Sequence, residues 1–178
     1  LVAGGNEVVF VSDDDPFGTN PYRIRQLFRS TTTGSDLRQL SQFVDNGGVY
    51  RGPEASGSGN VLSFSVTEST GILQLCSING DGSNFRQLTQ FNRPVFEHGM
   101  SRDGTLIAFT SLWNGDGAEV SADTGDIFVI HPDGTGLRRL TLAPASPPFL
   151  SSGHPRLDTT GSWIAFESVA NFTGQNSD

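Results

Sequence analysis

A tail of the form Arg-x-Leu-Ser/Thr occurs three times in this chain, and its spacing constrains the fold more tightly than composition does. The copies are Arg38-Gln39-Leu40-Ser41, Arg86-Gln87-Leu88-Thr89 and Arg138-Arg139-Leu140-Thr141, with the Arg positions 48 and 52 residues apart. Twelve residues before each Arg stand Gln26, Gln74 and Asp126, and each opens a strand-like run: Leu27-Phe28, Leu75-Cys76 and Ile127-Phe128. The stretch Asp126 to Thr141 shows the local chemistry most clearly. An apolar run, Ile127 to Ile130, meets the turn Pro132-Asp133-Gly134 and returns as a short strand ending at Leu140. Pro presets φ and Gly accepts positive φ, so this is a hairpin.

A second element alternates with the first. A Gly turn is followed five residues later by Phe at Gly5/Phe10, Gly59/Phe64, Gly104/Phe109 and Gly161/Phe166, with Phe spacings of 54, 45 and 57. Two motifs in strict order at a period of roughly fifty mark an internal repeat. Each full unit reads as four antiparallel strands, A to D. The expected divisions are B–C–D over 1–41, full units over 49–89 and 95–141, and A–B over 153–178. The B strands are apolar at consecutive positions, as in Val8-Val9-Phe10-Val11 and Leu106-Ile107-Ala108-Phe109. Such a run fits a sheet covered on both faces. Four-stranded sheets stacked about an axis supply that environment, so the expectation is an all-β chain, a β-propeller of about three and a half blades. A two-sheet sandwich would instead demand in/out alternation and gives no reason for the period.

Composition closes off several classes. A net charge of −8 argues against a nucleic-acid partner, because phosphate binding needs a basic face. All 11 basic residues are Arg, which reads as lineage bias. Cys76 is the one cysteine, so no intrachain disulfide forms, and its place in a strand predicts a buried inert thiol. No apolar run approaches a membrane span. Residue 1 is Leu and no signal peptide is visible, so a removed or absent start is expected.

The run Ser101-Arg102-Asp103-Gly104-Thr105-Leu106-Ile107-Ala108-Phe109-Thr110-Ser111, followed by Asp126 to Thr141, resembles the TolB-type, WD-like propeller repeat. That repeat has the form Ser-Pro-Asp-Gly-x-x-Ile-Ala-Phe-x-Ser, then Asp-Ile-Tyr/Phe-Val, then Asp-Gly-x-x-x-Arg-x-Leu-Thr. Arg102 stands where Pro is usual, and Gly57-Ser58-Gly59 and Thr159-Thr160-Gly161 replace Pro-Asp-Gly in other copies. The resemblance covers essentially the whole chain and implies the fold, not an activity. It also implies a ring of six or more blades. Strand B is expected at both ends of the chain, so simple closure fails, and a fragment or an arc completed by other chains is expected. Open ends would leave unpaired edges and uncovered faces.

Tight turns (Asp81-Gly82, Asp103-Gly104, Asp133-Gly134) trim one end of every sheet, whereas the long B–C and D–A links share the other end. Long loops on a rigid scaffold are where binding resides. The candidates for binding are Tyr22, Arg23, Arg93 and Trp113 on these links, where Arg and aromatics suit a protein interface, together with Phe17, Phe91 and Phe149. His98 and His154 lie on successive A strands, where two imidazoles facing a channel could bind a transition metal; their copies fall out of register by one. The loop Asn114 to Glu119, with Asp116, Glu119, Asp123 and Asp126, offers oxygen ligands and makes calcium the candidate ion, although it fails the EF-hand pattern at Gly125. No other cofactor is indicated. Asn171-Phe172-Thr173 matches a glycosylation acceptor.

No nucleophile elbow, Cys–His arrangement or phosphate loop is present, so the reading is non-enzymatic. The expected function is a binding or scaffold propeller in the bacterial periplasm, at the cell surface or outside the cell, meeting a protein partner through its long-loop end. The alternatives are a structural subunit of a surface assembly, self-associating or completed by other chains, and a propeller belonging to a metal-dependent acidic-sugar lyase or gating a serine peptidase.

Overall fold

The computed structural model describes residues 2–44, 47–113, 125–142 and 152–172. Almost all regular structure in them is β. The first sheet holds β1 (Glu7–Ser12), β2 (Gln26–Thr31) and β3 (Arg38–Gln39), in that order. The second holds β4 (Val49–Ala55), β5 (Val61–Thr67), β6 (Leu73–Asn79) and β7 (Arg86–Gln87). The third holds β8 (Val95–Met100), β9 (Ile107–Ser111), β10 (Asp126–Ile130) and β11 (Arg138–Arg139). The fourth pairs β12 (Ser152–Leu157) with β13 (Ile164–Ser168). All pairings are antiparallel between neighbours in sequence, so each sheet is a meander. No helix among the described residues is long and apolar enough to cross a membrane.

The recurrent tail closes the outer hairpin by hydrogen bonding. In the first sheet Ser41 Oγ donates to Gln26 Oε1 and accepts from the Leu27 N–H, at 2.8 and 2.9 Å. Thr89 repeats this with Gln74 and Leu75, at 2.7 and 2.9 Å. Thr141 repeats it with Asp126 and Ile127, at 2.8 and 2.9 Å. The D strands are therefore brief: only two residues join each ladder before the hydroxyl takes over the next donor of the C strand. The residue before Leu in the tail follows the residue that opens the C strand. Gln39 and Gln87 go with Gln26 and Gln74, whereas Arg139 goes with Asp126, whose buried carboxylate it pairs. A buried charge needs such a partner, and a buried amide does not.

Each sheet packs on the next through both faces. Leu27 and Leu40 join Val49, Leu62, Phe64, Val66, Cys76 and Ile78 in one core. Leu75, one residue from Cys76 and on the opposite face, joins Phe91, Val95, Ile107, Phe109, Phe128 and Ile130 in the other. This is why β5, β6, β9 and β10 are buried at consecutive positions. Burial pushes the Cys76 thiol up to about 12, so it stays protonated and inert.

At the tight-turn end the sheets are also stitched backbone to backbone. The Gly57 N–H donates to the Arg102 carbonyl (2.7 Å), and the Asp103 N–H donates to the Thr159 carbonyl (2.9 Å). Gly104, at φ 77°, lies so close to the preceding turn that an added Cβ would stand 2.8 Å from Ser56 Cβ. The Asp side chains of these turns accept local N–H and O–H bonds, and those bonds hold the Asp81, Asp103 and Asp133 carboxyls below the usual range.

Candidate functional site

The opposite end, where the long links emerge, is less closed. The starts of β8 and β12 and the ends of β9 and β13 meet there, since Val95 pairs with Ser111 and Ser152 with Ser168. Both innermost strands carry register shifts at this end, between Val95 and His98 and between Gly153 and Arg156. His154 lies inside the second shift at φ 52°, a left-handed conformation unusual for a side-chain-bearing residue. Such irregularities re-aim side chains. Here they leave a cleft of about 630 Å³ lined by Phe96, Glu97, Thr110, Ser152, His154 and Glu167, among others.

His154 sits between the two carboxylates. Its Nδ1 is 3.3 Å from Glu167 and its Nε2 3.9 Å from Glu97, which also has Arg51 of β4 at 4.0 Å. Thr110 is 4% exposed, and its hydroxyl has no hydrogen-bond partner among the described residues. The acids therefore flank a polar floor with unused bonding capacity.

The two candidate histidines are not brought together. His98 is turned into the seam between the second and third sheets, 6% exposed, with its ring bonded to the Ser63 backbone and Nε2 without a partner among the described residues. Burial first, then Arg51 and Arg156 nearby, lower its pKa to about 4. His154 is exposed beside Glu97 and Glu167. The described residues contain no group of three or more His, Cys, Asp or Glu placed to hold a metal ion. The proposed calcium ligands Asp116, Glu119 and Asp123 lie outside the described residues, as do Phe149 and Thr173 of the glycosylation pattern. Asp126 is described and belongs to the hairpin closure.

Among the link residues, Tyr22 is 76% exposed, and Arg23 is exposed with Asp14 at 3.6 Å. Both are presented by a link wound around the buried Asn20. That side chain donates to the carbonyls of Asp13, Asp14 and Ile24 and accepts from the Ile24 N–H, and its own N–H donates to Asp15. The Asp13–Asp15 run is thus occupied in shaping the loop. Arg93 is exposed on the link before β8. Trp113 behaves differently from an interface anchor: its ring stacks on Phe91 at 4.1 Å and 6°, and it caps the second core. Aromatic burial favours this over a solvent-facing pose. Phe91 is likewise buried, whereas Phe17 is exposed.

The residues that sequence reasoning missed are Glu97, Thr110, Glu167 and Asn20. Asn20 had one available signal, a lone amide inside a Gly- and Pro-flanked loop. The others face the cleft only because of two register shifts that no pattern announces.

No family model matches the sequence, and no curated protein sequence matches it. Solved structures do. TolB from Acinetobacter baumannii is 17% identical, with a TM-score of 0.58, covering 90% of this chain and 34% of that one. The tricorn protease is 12% identical, with a TM-score of 0.65 over 93% of this chain and 14% of the other. An oligogalacturonate lyase in complex with manganese is 14% identical, with a TM-score of 0.55 over 89% and 43%. The chain has a TolB-like β-propeller fold, and it spans about a third of the length of TolB.

Proposed function

We propose that the chain is a non-enzymatic binding or scaffold module of the bacterial envelope or extracellular space, offering its long-link end to a protein partner. The observation that carries this reading is the contrast between the two ends of the sheets. One end is closed by short turns bonded to each other, while the other presents Phe17, Tyr22, Arg23 and Arg93 in solvent and, between the third and fourth sheets, an open cleft. Exposed aromatics and Arg on a rigid base are suited to protein contact at small entropic cost. His98, turned into the seam, lends no support to a metal-dependent lyase.

A photo-crosslinking residue placed at Tyr22 should capture a discrete partner from the native envelope, and one placed at Leu137, on the tight-turn end, should not. Equal capture at both positions, or none at Tyr22, sinks the reading.

A further inference from the structure

We propose that the cleft between the third and fourth sheets receives a cationic group, an Arg or Lys side chain of the partner polypeptide; this rests on the binding-module reading above. The charge distribution is the first reason. Glu97 and Glu167 line the cleft, and no Arg or Lys is among its described lining residues. The nearest guanidinium to Glu97, that of Arg51, comes from β4 and reaches only to 4.0 Å. Arg156 of β12 carries its guanidinium beside Gly99 and is not among the lining residues, and the chain contains no Lys at all. A cleft of one sign in a molecule of net charge −8 concentrates cations at its mouth.

The second reason is the Thr110 hydroxyl. Thr110 is 4% exposed and lines the cleft, and its hydroxyl has no hydrogen-bond partner among the described residues. A buried polar atom left unpaired is unfavourable, and an N–H donor entering the cleft would satisfy it. The third is shape. The volume of about 630 Å³ falls in the range of small-ligand sites, room for an Arg or Lys side chain together with the segment that bears it. Phe96 supplies an apolar wall against which an Arg or Lys stem can lie while its head reaches the carboxylates.

A bare metal ion fits less well. Glu97 approaches His154 at Nε2 and Glu167 approaches it at Nδ1, so the imidazole holds the carboxylates apart rather than converging with them on one point. A guanidinium fork or an ammonium with three donors can bridge separated acceptors.

The test is titration of the intact chain with an acetylated, amidated tetra-arginine peptide, against a tetra-serine control, read by calorimetry at low and at physiological salt. The expected result is saturable one-to-one binding of the cationic peptide only. Glu97→Gln and Glu167→Gln should each weaken it by about fivefold, as for a partly exposed ion pair, and Thr110→Val by about threefold. The variant Asp36→Asn removes the same charge at an exposed turn remote from the cleft and should leave affinity unchanged. Equal weakening by that remote variant would show diffuse attraction and overturn the proposal, as would no binding or indifference to both Glu variants. Glu167 is 82% exposed, so its variant reports binding whether or not Thr110→Val folds. Failure here with crosslinking at Tyr22 intact would remove the cationic ligand alone; loss of both would remove the binding module.

Discussion

The tripeptide Ile-Ala-Phe occurs twice at equivalent places, and the two copies have opposite fates. Ile107, Ala108 and Phe109 on β9 are completely buried. Ile164, Ala165 and Phe166 on β13 are not: Ala165 is exposed and Phe166 is 38% exposed. Local sequence is the same, and both strands pair with an inner strand, β8 or β12. The difference lies outside the strand. Phe109 stacks on Phe128 of β10 at 5.5 Å and packs with Phe91 and the second sheet. Among the described residues β13 has no outer neighbour, and its contact is a T-shaped one with the half-exposed Phe172. Burial in this architecture is conferred by the neighbouring strand and the neighbouring sheet, not by the strand's own hydrophobicity.

That contrast can be broken at three levels. Phe109→Ala should cost about 3–5 kcal/mol, the range for emptying a buried aromatic site, whereas Phe166→Ala should cost under about 1 kcal/mol, near the surface range. Chemical denaturation of both variants decides it, and equal losses would mean that exposure does not track energy here.

The seam between the second and third sheets should also be acid-sensitive through His98. Its folded pKa, lowered to about 4 by burial, lies below the ordinary value of 6.5, so the unfolded chain binds the proton more readily. The associated stability is then fully present above about pH 6.5 and is lost as pH falls toward 4. At most this amounts to about 3 kcal/mol. A His98→Gln variant should flatten the pH profile of the melting temperature in that window; an unchanged slope would assign the acid response to other groups.

The smallest effect separates the forward faces. Leu106 lies against the Gly161 turn of the fourth sheet, where an added Cβ would stand 3.0 Å from Leu106 Cβ. The equivalent Trp163 is 79% exposed. Leu106→Ala should cost about 1 kcal/mol, and Trp163→Ala should stay within about 0.5 kcal/mol of the parent. A larger loss at Trp163 would reveal a packing partner for that face.

Much of the fold was legible because the repeat writes the same local chemistry several times. The hairpin at Asp126 to Thr141, the Asp–Gly turns and the consecutive apolar runs each identify a strand or its end, and their order gives the meander. The length of the D strands was not legible, because a Thr or Ser hydroxyl ends the ladder from outside it. The site was less legible still. Tyr22, Arg23 and Arg93 stand in solvent as loop residues should, but Trp113 folds onto Phe91, and the histidine pair dissolves because His98 and His154 sit in different environments on irregular strands.

By itself, then, the sequence determined the period, the phase of every strand and which ends of the sheets are short. Those follow from turn chemistry and side-chain pattern, which act over a few residues. The tertiary structure alone decided that Glu97, Thr110 and Glu167 share one cleft and that one Ile-Ala-Phe is core while the other is surface. Both outcomes depend on register shifts and on neighbouring sheets, and the forces that set them act between segments roughly fifty residues apart.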